Sequence, residues 1–218
     1  MAHKAEHAAD LETGAIVGVT VQGADEGDTT TIQETLPEAA QQLEAVAAVT
    51  DEAVAVIEEV VADKGYHSRT TVHDLETLEI RTYISEPDRG PQSWIDLEAE
   101  RDAVYANRRR IRGDRGRRLL RTRGELLERP CAHLYETGGF RRVHVRGHQN
   151  VLKRLLVHAA RLQSGALDAN AFRDRYAPRS PGRFGRARWR AQYAVEARVQ
   201  DNHADRESDR SSNTIGAD

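Results

Sequence analysis

The sequence predicts an α/β fold in which a mixed sheet is flanked by helices. Short β-branched runs at 15–22, 58–62 and 80–84 have the composition of strands. The stretches between and after them are rich in alanine, glutamate or arginine, which is typical of helices. Because strands and helices alternate up to about residue 91, we expect crossover connections within one sheet.

The first predicted element is a β-hairpin. Residues 2–9 alternate weakly, and residues 10–14 form a turn that ends on Gly14. Residues 15–22 follow as a clear strand. The two strands are therefore expected to pair through a loop of moderate length.

The next predicted element is a helix that runs to about Ala48. The hydroxyls of residues 29–31 can cap its start, and Glu34 follows Thr31 at the spacing of a capping box. Pro37 lies in the first turns, where the helix begins or kinks.

A third strand, 58–62, ends on Asp63, and Gly65 follows shortly after. This is how a buried strand places one carboxylate at the open end of a sheet. Ser68 is expected to cap a short helix, and residues 80–84 form the next strand. The alternative interpretation of Asp63 is a turn or helix-capping residue beside Gly65.

Beyond Pro91 the chain is predicted to be helical. Residues 93–123 are charged and rich in arginine, residues 125–136 form a second helix, and residues 149–162 form an amphipathic third. Apolar periodicity is lost from Ser164 onward. We therefore expect one domain over residues 1–162 and a divergent, largely disordered C-terminal tail over residues 163–218.

Composition favours a soluble, cytoplasmic protein. The mean hydropathy is -0.68, and 31% of the residues are charged. No run approaches the roughly 20 apolar residues of a membrane span, and the first residues have no apolar core typical of a secretory signal. Cys131 is the only cysteine, which excludes an internal disulfide.

Charge is distributed unevenly along the chain. Residues 1–100 carry 5 Lys/Arg against 22 Asp/Glu, a net charge of -17. Residues 101–154 carry 16 against 5, a net charge of +11. Nearly all of these bases are arginine, which binds phosphate with two parallel hydrogen bonds. The segment is expected to contact a polyanion; the alternative is a solvated helix surface.

Glu128 is the candidate partner of Asp63, although 65 residues separate them in the sequence. The alternative interpretation is a surface glutamate that pairs with Arg121 or Arg129. Glu125, about one helical turn away, is a rival for the same role.

Four blocks of sequence resemble the DDE transposases of bacterial insertion sequences, which have an RNase H-like catalytic fold. Residues 2–15 look like the second and third strands of that family. Val-Ala-Asp-Lys-Gly-Tyr at 61–66 is similar to the block with its second catalytic aspartate. Glu-Arg-Pro-Cys-Ala-His at 128–133, followed by the glycine- and arginine-rich stretch 136–147, is similar to the block with its catalytic glutamate.

The resemblance implies Mg²⁺- or Mn²⁺-dependent DNA strand cleavage and transfer in transposition, with Asp63 and Glu128 as catalytic metal ligands. Carboxylates suit Mg²⁺, which prefers hard oxygen ligands, and two such ions can activate the attacking group and stabilise the leaving oxygen. Implied partners are the DNA ends of the element and a second copy or an intact transposase, with no membrane. The expected DNA contacts are Lys64, Arg141, Arg142, Arg146, Lys153 and Arg154.

In this family the first catalytic aspartate lies on a strand between the second and fourth strands of the sheet. That strand precedes the block with which this sequence begins, so we expect an N-terminally truncated domain whose central strand is missing. Tyr135 also stands where related enzymes often have lysine. The expected fragment is inactive alone. The alternatives are a non-catalytic DNA-binding remnant that acts through residues 101–154, or an unrelated α/β protein of structural or regulatory role.

Overall fold

The computed structural model describes residues 3–50, 54–136, 138–140, 143–176 and 191–200. They form the predicted α/β fold, and none of their helices has the length and apolar character needed to cross a bilayer. The elements are β1 (His3–Asp10), β2 (Ile16–Gly23), α1 (Asp28–Thr50), β3 (Ile57–Ala62), α2 (Arg69–Thr77), β4 (Arg81–Ile84), α3 (Glu98–Arg112), α4 (Asp114–Glu136), α5 (His148–Tyr176) and β5 (Ala191–Gln200).

The predicted β-hairpin is confirmed. β1 and β2 pair antiparallel from His3 opposite Gly23 to Ala9 opposite Ile16. In the connecting turn the Asp10 carboxylate accepts hydrogen bonds from backbone N–H groups two and three residues later. Gly14 has a φ of 72°, a left-handed conformation that glycine adopts without strain.

α1 begins earlier than predicted, and the expected capping box at Thr31 and Glu34 was wrong. Thr31 lies inside the helix, is fully buried, and donates its hydroxyl hydrogen to the carboxylate of Glu6 on β1. Thr31 is used in a tertiary contact and not as a cap, because the buried carboxylate of Glu6 requires hydrogen-bond donors. In contrast, Ser68 caps α2 as predicted, accepting from the Thr71 backbone N–H at 2.9 Å.

The sheet has the strand order β2-β1-β5-β3-β4. β5 is antiparallel to β1 and parallel to β3, and β3 is parallel to β4. The expectation of an empty central position was wrong, because β5 fills it. Without β5 the facing edges of β1 and β3 would leave backbone N–H and C=O groups unpaired inside the molecule.

The predicted tail therefore contains regular structure. The expected domain boundary at residue 162 falls within α5, which continues to Tyr176, and residues 191–200 form β5. The interpretation of residues 201–218 as disordered concerns residues outside the described structure.

Helices cover both faces of the sheet. On one face α1, α2 and α3 enclose a cluster with β1, β3 and β4, and on the other face α4 and α5 pack against the sheet. The first cluster includes Ile32, Leu36, Val60, Ala62, Val72 and Val104. The opposite face includes Val19, Val61, Tyr83, Leu127, Val151 and Leu155.

The arginine-rich segment breaks at Gly113 and not near residue 124 as predicted. The backbone of Gly113 is extended, with φ -71° and ψ 161°, and α4 begins at the next residue. Gly116 then passes so close to α3 that an added Cβ would lie 2.1 Å from the Arg110 carbonyl oxygen. The helix break thus depends on a close backbone approach, which charge and apolar periodicity do not indicate.

Candidate functional site

Asp63 lies at the carboxyl end of β3, as predicted, and it is also a cap. Its Oδ1 accepts from the Lys64 backbone N–H at 2.7 Å at the start of a 3₁₀ turn, Lys64–Tyr66. Its side chain remains 56% exposed. Asp63 is therefore both a carboxylate at the end of a strand and the cap of the turn that follows.

Arg123 of α4 is the charged neighbour of Asp63. Its Nη2 lies 3.9 Å from Asp63 Oδ2, and its side chain is only 13% exposed. One turn later on α4, Leu127 is buried in the same cluster as Val61 of β3. α4 therefore packs on the strand that ends at Asp63.

Glu128 directly follows Leu127 on α4, but it is exposed. Its Oε1 lies 3.5 Å from the position that a Cβ on Gly124 would take, as expected for side chains that lean towards the helix N-terminus. Arg121 forms its ion pair with Glu125, with Nε–Oε1 at 3.1 Å. The alternative pairing of Glu128 with Arg121 is not what the structure has, and the Arg129 side chain is outside the described part.

A cleft of about 740 Å³ lies beside Asp63. It is lined by carboxylates from the start of α1, the turn after β3 and the segment after β4, together with Lys64 and Arg89. Two of these carboxylates already have cations, because Asp28 accepts from Lys4 Nζ at 2.8 Å and Glu86 binds Arg108 at 2.5 Å. The carboxylates that line the cleft are Asp28, Asp63, Glu86 and Asp88.

The Arg108 guanidinium stabilises the ionised form of the Glu86 carboxyl in the cleft. Its hydrogen bonds to Glu86 hold the pKa of that carboxyl below its usual range, while burial acts in the opposite direction. The same pair raises the pKa of Arg108. Glu86 is therefore an ion-paired carboxylate at neutral pH and a poor candidate for a general acid.

A buried polar network lies under this cleft, and sequence analysis missed it. Lys4 and Glu6 of β1 are 3% and 0% exposed and lie 3.3 Å apart. Thr35 donates to Glu6 at 2.5 Å, in addition to the bond from Thr31. Burial raises the pKa of the adjacent Tyr66, and Glu6 and Asp28 raise it further. The network ties β1 and α1 to the turn after Asp63; alternating charged and small residues in β1 gave no signal for it.

The described residues do not complete a two-metal centre. They contain no group of three or more histidine, cysteine, aspartate or glutamate side chains placed to hold a metal ion. Mg²⁺ keeps near-octahedral oxygen coordination, and Asp63 with the exposed Glu128 falls short of the ligands that two such ions need.

The predicted DNA contacts occupy different environments. Lys64 is exposed at the cleft, Arg146 is exposed just before α5, and Lys153 is exposed in the first turns of α5. Arg154 donates to the Gly138 carbonyl at 3.2 Å and lies 4.9 Å above the Phe140 ring, so it has a structural role. Arg141 and Arg142 lie outside the described residues.

Many arginines of α3 and α4 have intramolecular partners. Arg110 binds Glu76 and Arg115 binds Glu59, with N–O distances of 2.5 and 2.6 Å. Three exposed arginines at the junction of α3 and α4 make no ion pair with any described carboxylate. They are Arg109, Arg112 and Arg118. The structural alternative is that the two on α3 complement the negative end of the helix dipole.

The central strand carries an acidic residue that sequence analysis did not select. β5 pairs Val195 with Ala62 of β3, and Glu196 follows Val195 opposite His7 of β1. The backbone of Glu196 is therefore level with Asp63, which follows Ala62.

No family model matches the chain, and no curated protein or solved structure is significantly similar to it. The interpretation of the site therefore depends on its own geometry and on the sequence motifs.

Proposed function

We propose that the chain is related to the DDE transposases and binds the phosphate backbone of DNA through α3, α4 and the start of α5, without cleaving DNA by itself. The observation that carries this proposal is the group formed by Arg109, Arg112 and Arg118. These arginines are exposed and make no ion pair with a described carboxylate.

The strand order supports an RNase H-like fold. In that fold the first strand lies between the second and the fourth. β1 and β3 correspond by sequence resemblance to the second and fourth strands, and β5 lies between them. β5 also pairs with both, which is the arrangement of the first strand in that fold.

The charges around Asp63 favour binding over cleavage. Asp63 lies near Arg123, Asp28 near Lys4, and Glu86 binds Arg108. A metal centre assembled there would have to displace these cations from the carboxylates. Arg109, Arg112 and Arg118 make no ion pair with a carboxylate of the described residues, so their binding to DNA phosphates requires no such rearrangement.

Binding can be measured by fluorescence anisotropy of a labelled DNA duplex at several salt concentrations. Replacing Arg109, Arg112 and Arg118 by glutamine should weaken binding. It should also make the negative slope of log K against log salt less steep by about 3, since each phosphate contact contributes about 0.9 to its magnitude.

The matched control replaces the same number of arginines that already have carboxylate partners on their own helix. These are Arg101, Arg117 and Arg121. This control removes the same formal charge but should reduce the magnitude of the slope much less. An affinity that does not depend on salt, or equal losses in the two triple variants, would contradict the proposal.

DNA cleavage is the second candidate function. It is favoured by Glu196 of the central strand β5, whose backbone is level with Asp63 at the end of β3. Nicking of supercoiled DNA in the presence of Mg²⁺ or Mn²⁺ tests it directly. We expect no nicking by the wild-type chain. Nicking that is lost in both Asp63→Asn and Glu128→Gln would establish the catalytic function instead.

A further inference from the structure

The open edge of β2 faces a cleft of about 780 Å³ between α1 and α5. Four consecutive residues of the strand, 16–19, line this cleft. Successive side chains of a strand point to opposite faces, so consecutive lining residues mean that the cleft runs along the edge of the strand. The backbone of an edge strand is a template for adding another strand.

A polar side chain of α5 already forms a hydrogen bond with the backbone of this edge. The Ile16 backbone N–H donates to Oε1 of Gln163 on α5 at 2.9 Å. An acceptor from outside the sheet can therefore reach the β2 backbone within the cleft. A carbonyl group of an added strand would make the same type of hydrogen bond.

The walls of the cleft are largely apolar. On α1 they include Leu43 and Val46, and on α5 they include Leu156 and Ala159. Val46 is 59% exposed and Leu156 is 45% exposed, so apolar surface remains in contact with water. An added strand would cover these side chains with its own apolar residues.

The rim of the cleft is acidic. Asp10, Glu12 and Glu38 line it, and its described lining residues include no lysine or arginine. If β2 of a second copy paired there, the same acidic rims would meet and repel each other. Charge therefore favours a basic partner over a second copy of this edge.

We propose that the edge of β2 binds an extended peptide segment in which apolar residues alternate with lysine or arginine, by addition of a strand to the sheet. The backbone of the segment pairs with β2, alternate apolar side chains enter between α1 and α5, and the basic side chains face the acidic rim. This site is separate from the arginines proposed to bind DNA.

The probe is a fluorescent peptide of alternating valine and lysine, titrated into the full chain and followed by anisotropy. Val46→Lys places a positive charge in the cleft and should weaken binding by about tenfold or more, which is about 1.4 kcal/mol. The matched control is Val49→Lys, on the same helix. Val49 is 87% exposed and is not among the residues that line the cleft, so its replacement should leave the affinity unchanged.

Two further peptides test the mode of binding. A peptide of alternating valine and glutamate should bind at least about tenfold more weakly, because the rim is acidic. A valine–lysine peptide with N-methyl groups on its backbone should also lose affinity, because it cannot complete the hydrogen bonds of an added strand. Amide hydrogen exchange in β2 should slow only with the unmodified basic peptide.

The proposal is overturned if Val46→Lys and Val49→Lys bind the peptide equally, or if N-methylation has no effect. It is also overturned if the peptide does not bind while sedimentation shows a dimer that Val46→Lys dissociates, because the occupant would then be a second copy.

Discussion

The guanidinium group of Arg123 lies 3.9 Å from the carboxylate of Asp63, at the end of β3. Arg123 is largely buried and Asp63 is mostly exposed, so the arginine approaches the carboxylate from within the fold. In the same position Asp63 caps the turn that follows. A residue that sequence resemblance selects as catalytic therefore has a structural role that can be measured without any assay of activity.

Asp63→Ala should lower the free energy of unfolding by about 1 kcal/mol, the usual cost of losing a capping side chain. Asp63→Asn should cost only a few tenths, because asparagine also accepts a hydrogen bond from the Lys64 N–H. The ion pair adds little, because Asp63 is mostly exposed and solvent screens it. Urea denaturation measures both values. Equal losses in the two variants would assign the effect to charge and not to capping.

His7 should make stability sensitive to acid. Burial, with a smaller contribution from His158, lowers the pKa of His7 from 6.5 to about 4. Between these values the unfolded chain takes up a proton that the folded chain does not. Stability is therefore lost as the pH falls below 6.5, by up to about 3 kcal/mol near pH 4.

Denaturation of His7→Gln across this pH range checks the linkage. The variant should lose less stability than the wild type between pH 7 and pH 4. His144→Gln is the control, because His144 is exposed, and it should follow the wild-type curve. An unchanged pH dependence in His7→Gln would show that another group controls acid stability.

α4 has two glycines that can be compared, Gly116 near its start and Gly124 in its middle. Gly116→Ala should destabilise the protein by more than about 1 kcal/mol, because its Cβ would lie 2.1 Å from the Arg110 carbonyl and 2.8 Å from Ile111 Cα. Gly124→Ala meets only the flexible end of Glu128, at 3.5 Å. It should stabilise by up to about 1 kcal/mol, the difference in helix propensity. Thermal denaturation distinguishes the opposite signs, and stabilisation by both would contradict the close approach.

A proline in β5 tests its central position. Ala194→Pro removes an N–H from a strand that pairs on both sides, with Ala9 of β1 and Val61 of β3. We expect a loss above about 2 kcal/mol, since proline is tolerated only at sheet edges and bulges. Ala194→Ser keeps the N–H group and is the control. If both variants unfold at the same urea concentration, β5 does not contribute to the stability of the sheet.

Local sequence signals predicted the elements that depend on local interactions. The turn ending at Gly14, the strand before Asp63 and the cap at Ser68 all follow from residues close to one another in the chain. The burial of Lys4 and Glu6 was not predictable in this way. It depends on hydroxyl groups of α1 that are 25 or more residues away, and charged residues usually indicate solvent exposure.

β5 was missed for a related reason. Residues 191–200 alternate small, charged and β-branched residues and have no turn signal that would separate them from a polar tail. Their position between β1 and β3 is decided by backbone groups on both neighbours, which the sequence does not display. The position of Asp63 was predictable from its own strand. Its cationic neighbour Arg123 belongs to α4, far along the chain, and was not predictable in this way.

The order of synthesis gives β5 a further consequence. The other four strands leave the ribosome first, yet the two pairs that they form are joined through a strand translated after all of them. The edges of β1 and β3 that β5 joins therefore lack that partner until residues 191–200 emerge. During that interval the nascent chain exposes two strand edges that can pair with other chains, so chaperone capture or slow translation upstream of β5 should affect its yield.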